Sequence, residues 1–171
     1  MNIKRHLLSL YFKIVKAEGS PESIAKGVAI GLVCGLIIPI GLQTLPALFL
    51  AFLFKANKIL SWTFTCVTNP ASVFFIYPVQ CWLGSYLILR PLSFEKLNNE
   101  LSGFSSVDTV EQAFEVFGTM STSIVIPFFA GGFLFAVVAA IPGYWISLRL
   151  AQRYQTRKLR KKQNNLQHNK I

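Results

Sequence analysis

Two uncharged runs decide the fold: GVAIGLVCGLIIPIGLQTLPALFLAFLF from Gly27 to Phe54, and ILSWTFTCVTNPASVFFIYPVQCWLGSYLIL from Ile59 to Leu89. Each exceeds the roughly 20 apolar residues that carry a helix across a hydrocarbon core about 30 Å thick, so both are read as membrane-embedded. Neither reads as one clean helix. Proline and neutral polar residues interrupt each near its middle, and lipid offers no hydrogen bonds to a backbone that leaves the helix there. A break at that depth needs protein groups or water to satisfy it.

Composition supports the membrane reading. The chain has 171 residues, 53% of them hydrophobic and 14% charged, with a mean hydropathy of +0.48. A soluble domain carries about 25% charged residues. The net charge of +10 is concentrated at the two ends and between the apolar blocks, which argues against a single basic binding face. Cys34, Cys66 and Cys81 all lie inside apolar runs without metal-ligand spacing and are read as packing residues.

The N-terminus does not read as a cleavable signal, because Lys13 ends the apolar run Leu7 to Phe12 before it reaches the necessary length. Residues 1–19 read instead as an amphipathic basic helix. Ile3, Leu7, Leu10, Tyr11 and Ile14 share one side, opposite Arg5, Lys13 and Lys16, with Lys4 the exception. The membrane domain is expected over residues 20–150, opened by Ser20-Pro21-Glu22 as N-cap, first-turn proline and first-turn acid.

Gly27, Gly31 and Gly35 form a small-xxx-small ladder suited to close helix packing. Pro39 and Pro46, flanking Gly41, Gln43 and Thr44, are expected to break the first run into two half-helices, the second covering residues 44–54. The run 59–89 is expected to break at Asn69-Pro70, beside Thr65, Thr68 and Ser72, with a kink at Pro78. A third apolar block, 124–148, carries Pro127, Gly131-Gly132 and Pro142-Gly143. Between the second and third blocks, residues 90–122 form an outer loop with an amphipathic helix at 107–117. Its acids Asp108, Glu111 and Glu115 read as a solvated face rather than a cation site.

Ser20-Pro21-Glu22-Ser23-Ile24-Ala25, the run from Ala29-Ile30-Gly31 through Pro39-Ile40-Gly41-Leu42-Gln43-Thr44, then Asn57, Asn69-Pro70, Tyr77-Pro78 and Gly84 resemble an uncharacterised bacterial membrane family, domain of unknown function 2062. The resemblance covers about residues 20–150. One departure is Lys55, where that family commonly has arginine. The resemblance implies a small bacterial inner-membrane protein, some relatives of which are joined to glycosyltransferase modules. It implies no catalytic residues.

Basic residues set the expected topology. Lys4, Arg5, Lys13, Lys16 and Lys26 precede the first block, Lys55 and Lys58 separate the first from the second, and eight bases from Arg149 to Lys170 follow the third. Lysine and arginine near membrane ends favour the cytoplasm. All three regions are inside if 27–54 is a re-entrant hairpin, 59–89 goes out and 124–148 comes back. The expected fold is therefore an all-α membrane protein, a small polytopic bundle with a broken-helix hairpin of two half-helices and two further spans. An amphipathic N-terminal helix and a basic C-terminal helix, with a tail at 151–171, complete it. Both termini are cytoplasmic.

The apolar blocks hold no Asp, Glu, Lys, Arg or His, and there is no phosphate loop, zinc spacing, dinucleotide fingerprint or serine nucleophile motif. An enzyme is not expected, nor any cofactor, metal or nucleic acid. The expected partners are the lipid bilayer, anionic headgroups, further copies of the chain and cell-envelope proteins. Two functions remain, the expected one and its alternative, in that order. In one, Pro39, Gly41, Gln43, Thr44, Asn57, Thr68, Asn69 and Pro70 form a polar site that binds or moves a neutral or lipid-linked solute. In the other, the same breaks shape a non-catalytic anchor or scaffold for envelope-assembly partners. The first requires polar groups facing a shared cavity, and the second requires them paired with one another.

Overall fold

A computed structural model describes residues 11–14, 16–93 and 122–168, with positions 95, 109, 111, 112, 115 and 118 between them. The described residues contain helices and no strand. The amphipathic reading of 1–19 rests largely on residues outside that set, as does the reading of 107–117. Within the latter, Thr109 and Gln112 exchange reciprocal side-chain to backbone bonds of 3.2 and 3.3 Å, the local signature of a helix start.

Helix α1, Pro21–Ile37, begins where the Ser20 hydroxyl accepts from Ser23 N at 3.2 Å, with Pro21 in a first-turn position that needs no N–H. It stops because Pro39 pushes Ile38 into extended backbone, at φ −96° and ψ 134°. The chain then turns through Pro39 to Gln43, with Gly41 at φ +89°, a conformation that costs other residues about 1–2 kcal/mol.

Helix α2, Thr44–Leu53, follows. Pro46 does not break anything. It occupies the third position of α2, within the first turn, where amides have no intrahelical acceptor to lose. The break belongs to Pro39 alone. α2 ends in a Schellman motif: Lys55, at φ +51°, donates its N–H to Phe52 O at 3.2 Å and Ala56 N to Ala51 O at 2.8 Å.

Asn57 then joins three segments. Its backbone N–H donates to Ser23 O at 2.9 Å, its Nδ2 donates to Glu18 O at 2.8 Å, and its Oδ1 accepts from Leu60 N at 2.9 Å. The last bond caps helix α3, Lys58–Thr65. The chain has thus returned to the level of the first turn of α1.

From there α3 climbs α1 in step. A methyl on Gly27, Gly31 or Gly35 would collide with the carbonyl oxygens of Asn57, Ser61 and Thr65 respectively, partners thirty positions apart in every case. Glycine lets the two backbones approach to Cα–H···O distance.

Asn69, extended at φ −140°, ends this run and caps helix α4, Pro70–Leu87, in a capping box with Ser72. α3 and α4 meet at 74°. α4 closes in a second Schellman motif at Leu89, φ +56°.

The long helix α5, Thr122–His168, runs back past everything before it. Its first turns pack antiparallel on α4, with Gly84 against the Pro127 carbonyl and Gly131 against that of Gln80. Further along it lies antiparallel to α1, where a Cβ on Gly132 would stand 2.8 Å from Leu36 O and one on Gly143 2.6 Å from Leu32 Cδ1. Two apolar clusters result. One joins Ile40, Val73, Tyr77, Cys81, Ile124 and Phe128 beside the break, and the other joins Ile14, Ile24, Val28, Leu32, Leu60, Ala140 and Ala151 along α1.

Small residues face inward and large apolar ones outward. In α2, Ala47 and Ala51 are fully buried while Phe49 is 64% exposed and Phe52 68%; in α4, Phe75 is 76% exposed. Water would penalise that arrangement and lipid would not. Of the described helices, one stretch in α5, Ser123–Arg160, is by itself long and apolar enough to cross a bilayer, and α3 with α4 pass together as one bent span. Cys34 and Cys81 pack inside, whereas Cys66 is exposed rather than packed.

A polar knot at the helix break

The break leaves backbone groups without intrahelical partners: the amide of Ile40, and carbonyls in the last turns of α1 and α3. Three side chains meet them. The Tyr77 hydroxyl accepts from Ile40 N at 2.7 Å, the Thr68 hydroxyl lies 2.8 Å from Gly35 O, and Gln43 Nε2 donates to Thr65 O at 2.9 Å. The side chains are also joined to each other. Gln43 Oε1 lies 2.9 Å from Thr68 Oγ1, which also engages the Tyr77 hydroxyl. Thr68 carries one hydroxyl proton, so Gly35 O and Gln43 Oε1 share it in alternation.

The knot is deep in protein. Gln43, Thr65, Thr68 and Tyr77 expose 5% or less of their surface, and Phe128 seals Tyr77 with an edge-to-face contact at 4.9 Å between ring centroids. These contacts supply what water supplies to helix ends elsewhere. Chemically the knot is neutral, a donor–acceptor circuit without a group that titrates near neutrality.

Of the residues singled out by sequence, the structure brings together Gln43 and Thr68, with Pro39 buried beside them and Gly41 and Thr44 half-buried in the turn. It does not bring in the others. Asn57 lies at the opposite end of α1, against Glu18 and Ser23. Asn69 and Pro70 are exposed, with the Asn69 side chain folded back as a cap on Ala71 and Ser72. Both asparagines precede a helix, and capping is the commonest use of asparagine there.

Two buried residues had no place in the expected site. Tyr77 figured only in the family resemblance, and Gln80 not at all. Their signal is periodicity, since Val73, Tyr77, Gln80, Cys81 and Gly84 recur along one face of α4, and all are buried. Gln80 Nε2 donates to Phe128 O at 3.0 Å, while its completely buried Oε1 has no hydrogen-bond partner among the described residues. The described residues contain no group of three His, Cys, Asp or Glu placed to hold a metal.

Comparison with curated proteins and with solved structures finds no match. A family model does match, over residues 4–160, nearly the whole chain. Its description is an uncharacterized protein conserved in bacteria, and this chain belongs to that family, domain of unknown function 2062.

Proposed function

We propose that this protein is a multi-pass, non-enzymatic component of the bacterial inner membrane that serves as an anchor or scaffold for envelope-assembly partners. The closure of Gln43 on Thr65 and Thr68 carries the reading. A solute site would present these groups to a cavity; here both ends of the Gln43 amide are engaged by protein. In this reading α1 and α2 form a re-entrant hairpin, α3 with α4 go out as one bent span and α5 returns. Two contacts support that path: Asn57 N to Ser23 O at 2.9 Å, and Gln155 Nε2 to Gly19 O at 2.9 Å, which sets the basic end of α5 beside the start of α1.

Topology is tested by reporter fusion. Alkaline phosphatase joined after Asn98 is expected to be active and joined after Asn57 inactive; activity at Asn57 overturns the hairpin. The scaffold reading is tested in a deletion strain complemented with Gln43→Leu. Function is expected to follow the amount of folded protein and to return when expression is raised. Loss that persists at wild-type abundance rejects the scaffold in favour of a site.

A second reading, solute binding, is favoured by Gln80 Oε1 alone. Gln80→Met removes a buried acceptor that lacks a partner along with one bond to Phe128 O, effects of about 1–3 and 1 kcal/mol in opposite directions. Thermal stability is therefore expected to stay within a few degrees of wild type, with function retained. A folded variant without function would place a ligand at Gln80.

A further inference from the structure

Gln155 ties the N-terminal segment to α5, and between them opens a cleft of about 640 Å³ lined by Lys16, Glu18, Gly19, Tyr154, Gln155 and Lys158. Two of the lining carbonyl oxygens are already hydrogen-bonded, Glu18 O by Asn57 Nδ2 and Gly19 O by Gln155 Nε2 within the cleft wall, which leaves the two lysine ammonium groups and the Tyr154 hydroxyl as donors. Neither lysine has a carboxylate partner among the described residues, and the Lys16 ammonium lies over the Phe12 ring at 5.2 Å from its centroid. With Glu18 on the rim against the two lysines, the lining carries a net charge of +1.

A second crevice lies toward the membrane interior, an apolar groove of about 240 Å³ formed by Ala29, Ala140, Ile141, Tyr144 and Trp145. Eighteen residues are five full turns of α-helix, so Ala140 and Ile141 lie directly beneath Lys158 and Leu159. Tyr144 lies within about 20° of Gln155. From Lys158 down to Ile141 is about 25 Å of helix, close to the depth of one leaflet with its headgroups. Tyr144 and Trp145 line the end of the groove nearer the cleft.

We propose that the cleft and the groove together hold one phospholipid on the basic side of the membrane. Its phosphodiester sits between Lys16, Lys158 and the Tyr154 hydroxyl, and an acyl chain runs down the groove. The net +1 lining matches a monoanionic lipid, and Glu18 accepts from headgroup hydroxyls, which selects a phosphatidylglycerol-type headgroup over a dianionic phosphomonoester. This site rests on the membrane reading above. It would tie the N-terminal segment to α5 through a lipid, giving a scaffold whose end is ordered by the leaflet it faces.

The full-length protein purified in detergent is offered phosphatidylglycerol, phosphatidylethanolamine or glycerol 3-phosphate, and retained molecules are counted by native mass spectrometry. The Lys16→Glu/Lys158→Glu variant is expected to lose phosphatidylglycerol retention at least about tenfold. Lys55→Glu/Lys58→Glu, which changes two bases at the same end of the bundle but outside the cleft, is expected to retain it. Equal losses in the two variants mean general surface attraction and overturn the site. Equal retention of phosphatidylethanolamine overturns the charge match, and displacement by glycerol 3-phosphate overturns the lipid as the source. Carbonate extraction of wild-type membranes is run alongside. Release of the protein there rejects the membrane reading itself, whereas a failed site leaves the protein in the membrane.

Discussion

Alanine at Gly131 is expected to force α4 and α5 apart at their seam and to lower the stability of the fold. Its new methyl would fall on the Gln80 carbonyl oxygen, inside any van der Waals distance, and the opposing groups are backbone that has no rotamer to change. Overpacking against backbone costs about 3 kcal/mol, at the top of the usual range, or about 6–12 °C in melting temperature for a chain of this size. Gly84→Ala meets the Pro127 carbonyl in the same seam and should act similarly. Gly118, with nothing among the described residues within 4 Å of the point where a methyl would stand, is the control, and its alanine variant should melt within about 2 °C of wild type. Size-exclusion profiles and thermal melts of the purified variants read the result. A folded Gly131→Ala protein with unchanged melting would show that α4 and α5 do not touch there.

The second large effect is expected at the knot. Gln43→Leu takes from Thr65 O its side-chain donor, leaving the longer bond from Thr68 N at 3.3 Å, and takes from Thr68 one of its acceptors, leaving Gly35 O; each lost bond is worth about 0.5–1.5 kcal/mol. Thr68→Val strips Gly35 O and Gln43 Oε1 at once. Because the two substitutions break one shared circuit, the double variant should lose less than the sum of the singles, by about 0.5–3 kcal/mol. Thermal unfolding of the four proteins in the same detergent measures the difference. Strict additivity would mean that the two side chains do not act on each other.

Local chemistry made some of this legible in the sequence and distance hid the rest. Ser20-Pro21, Ile38-Pro39 and Asn69-Pro70 act through their immediate neighbours, so a helix start and two stops could be read directly from them. Pro46 misled because a proline breaks a helix or begins one according to the turn it falls in, and that depends on where Pro39 has already ended the preceding helix. Gln43 was recognisable as an amide in need of partners. That its partners are Thr65 and Thr68 depends on α3 being folded back along α1, which no local pattern encodes. Asn57 and Asn69 drew notice as polar groups near apolar runs, yet each precedes a helix start, and the local capping rule is the one that applies. Gln80 carries no local signal of this kind, because its importance comes from Gly131 and Gly132 across the seam, 51 and 52 positions later in the chain.

In the membrane-embedded reading proposed above, the stepwise pairing of Gly27, Gly31 and Gly35 with Asn57, Ser61 and Thr65 restricts how this fold can follow a change in bilayer thickness. A thicker membrane would call for a longer apolar path, and one added turn extends a helix by about 5 Å. Lengthening α1 alone would move Pro39 and its turn away from Thr65, while lengthening α3 alone would carry Thr68 past Gly35. α1, α2 and α3 could grow only together, by whole turns. α4 is held in its turn by Tyr77 on Ile40 N and by the seam of Gly84 with Pro127, so only the chain beyond that seam is free to change length. Length differences among relatives should accordingly gather between Gly84 and Pro127, leaving the spacing from Ser20 to Gly84 fixed.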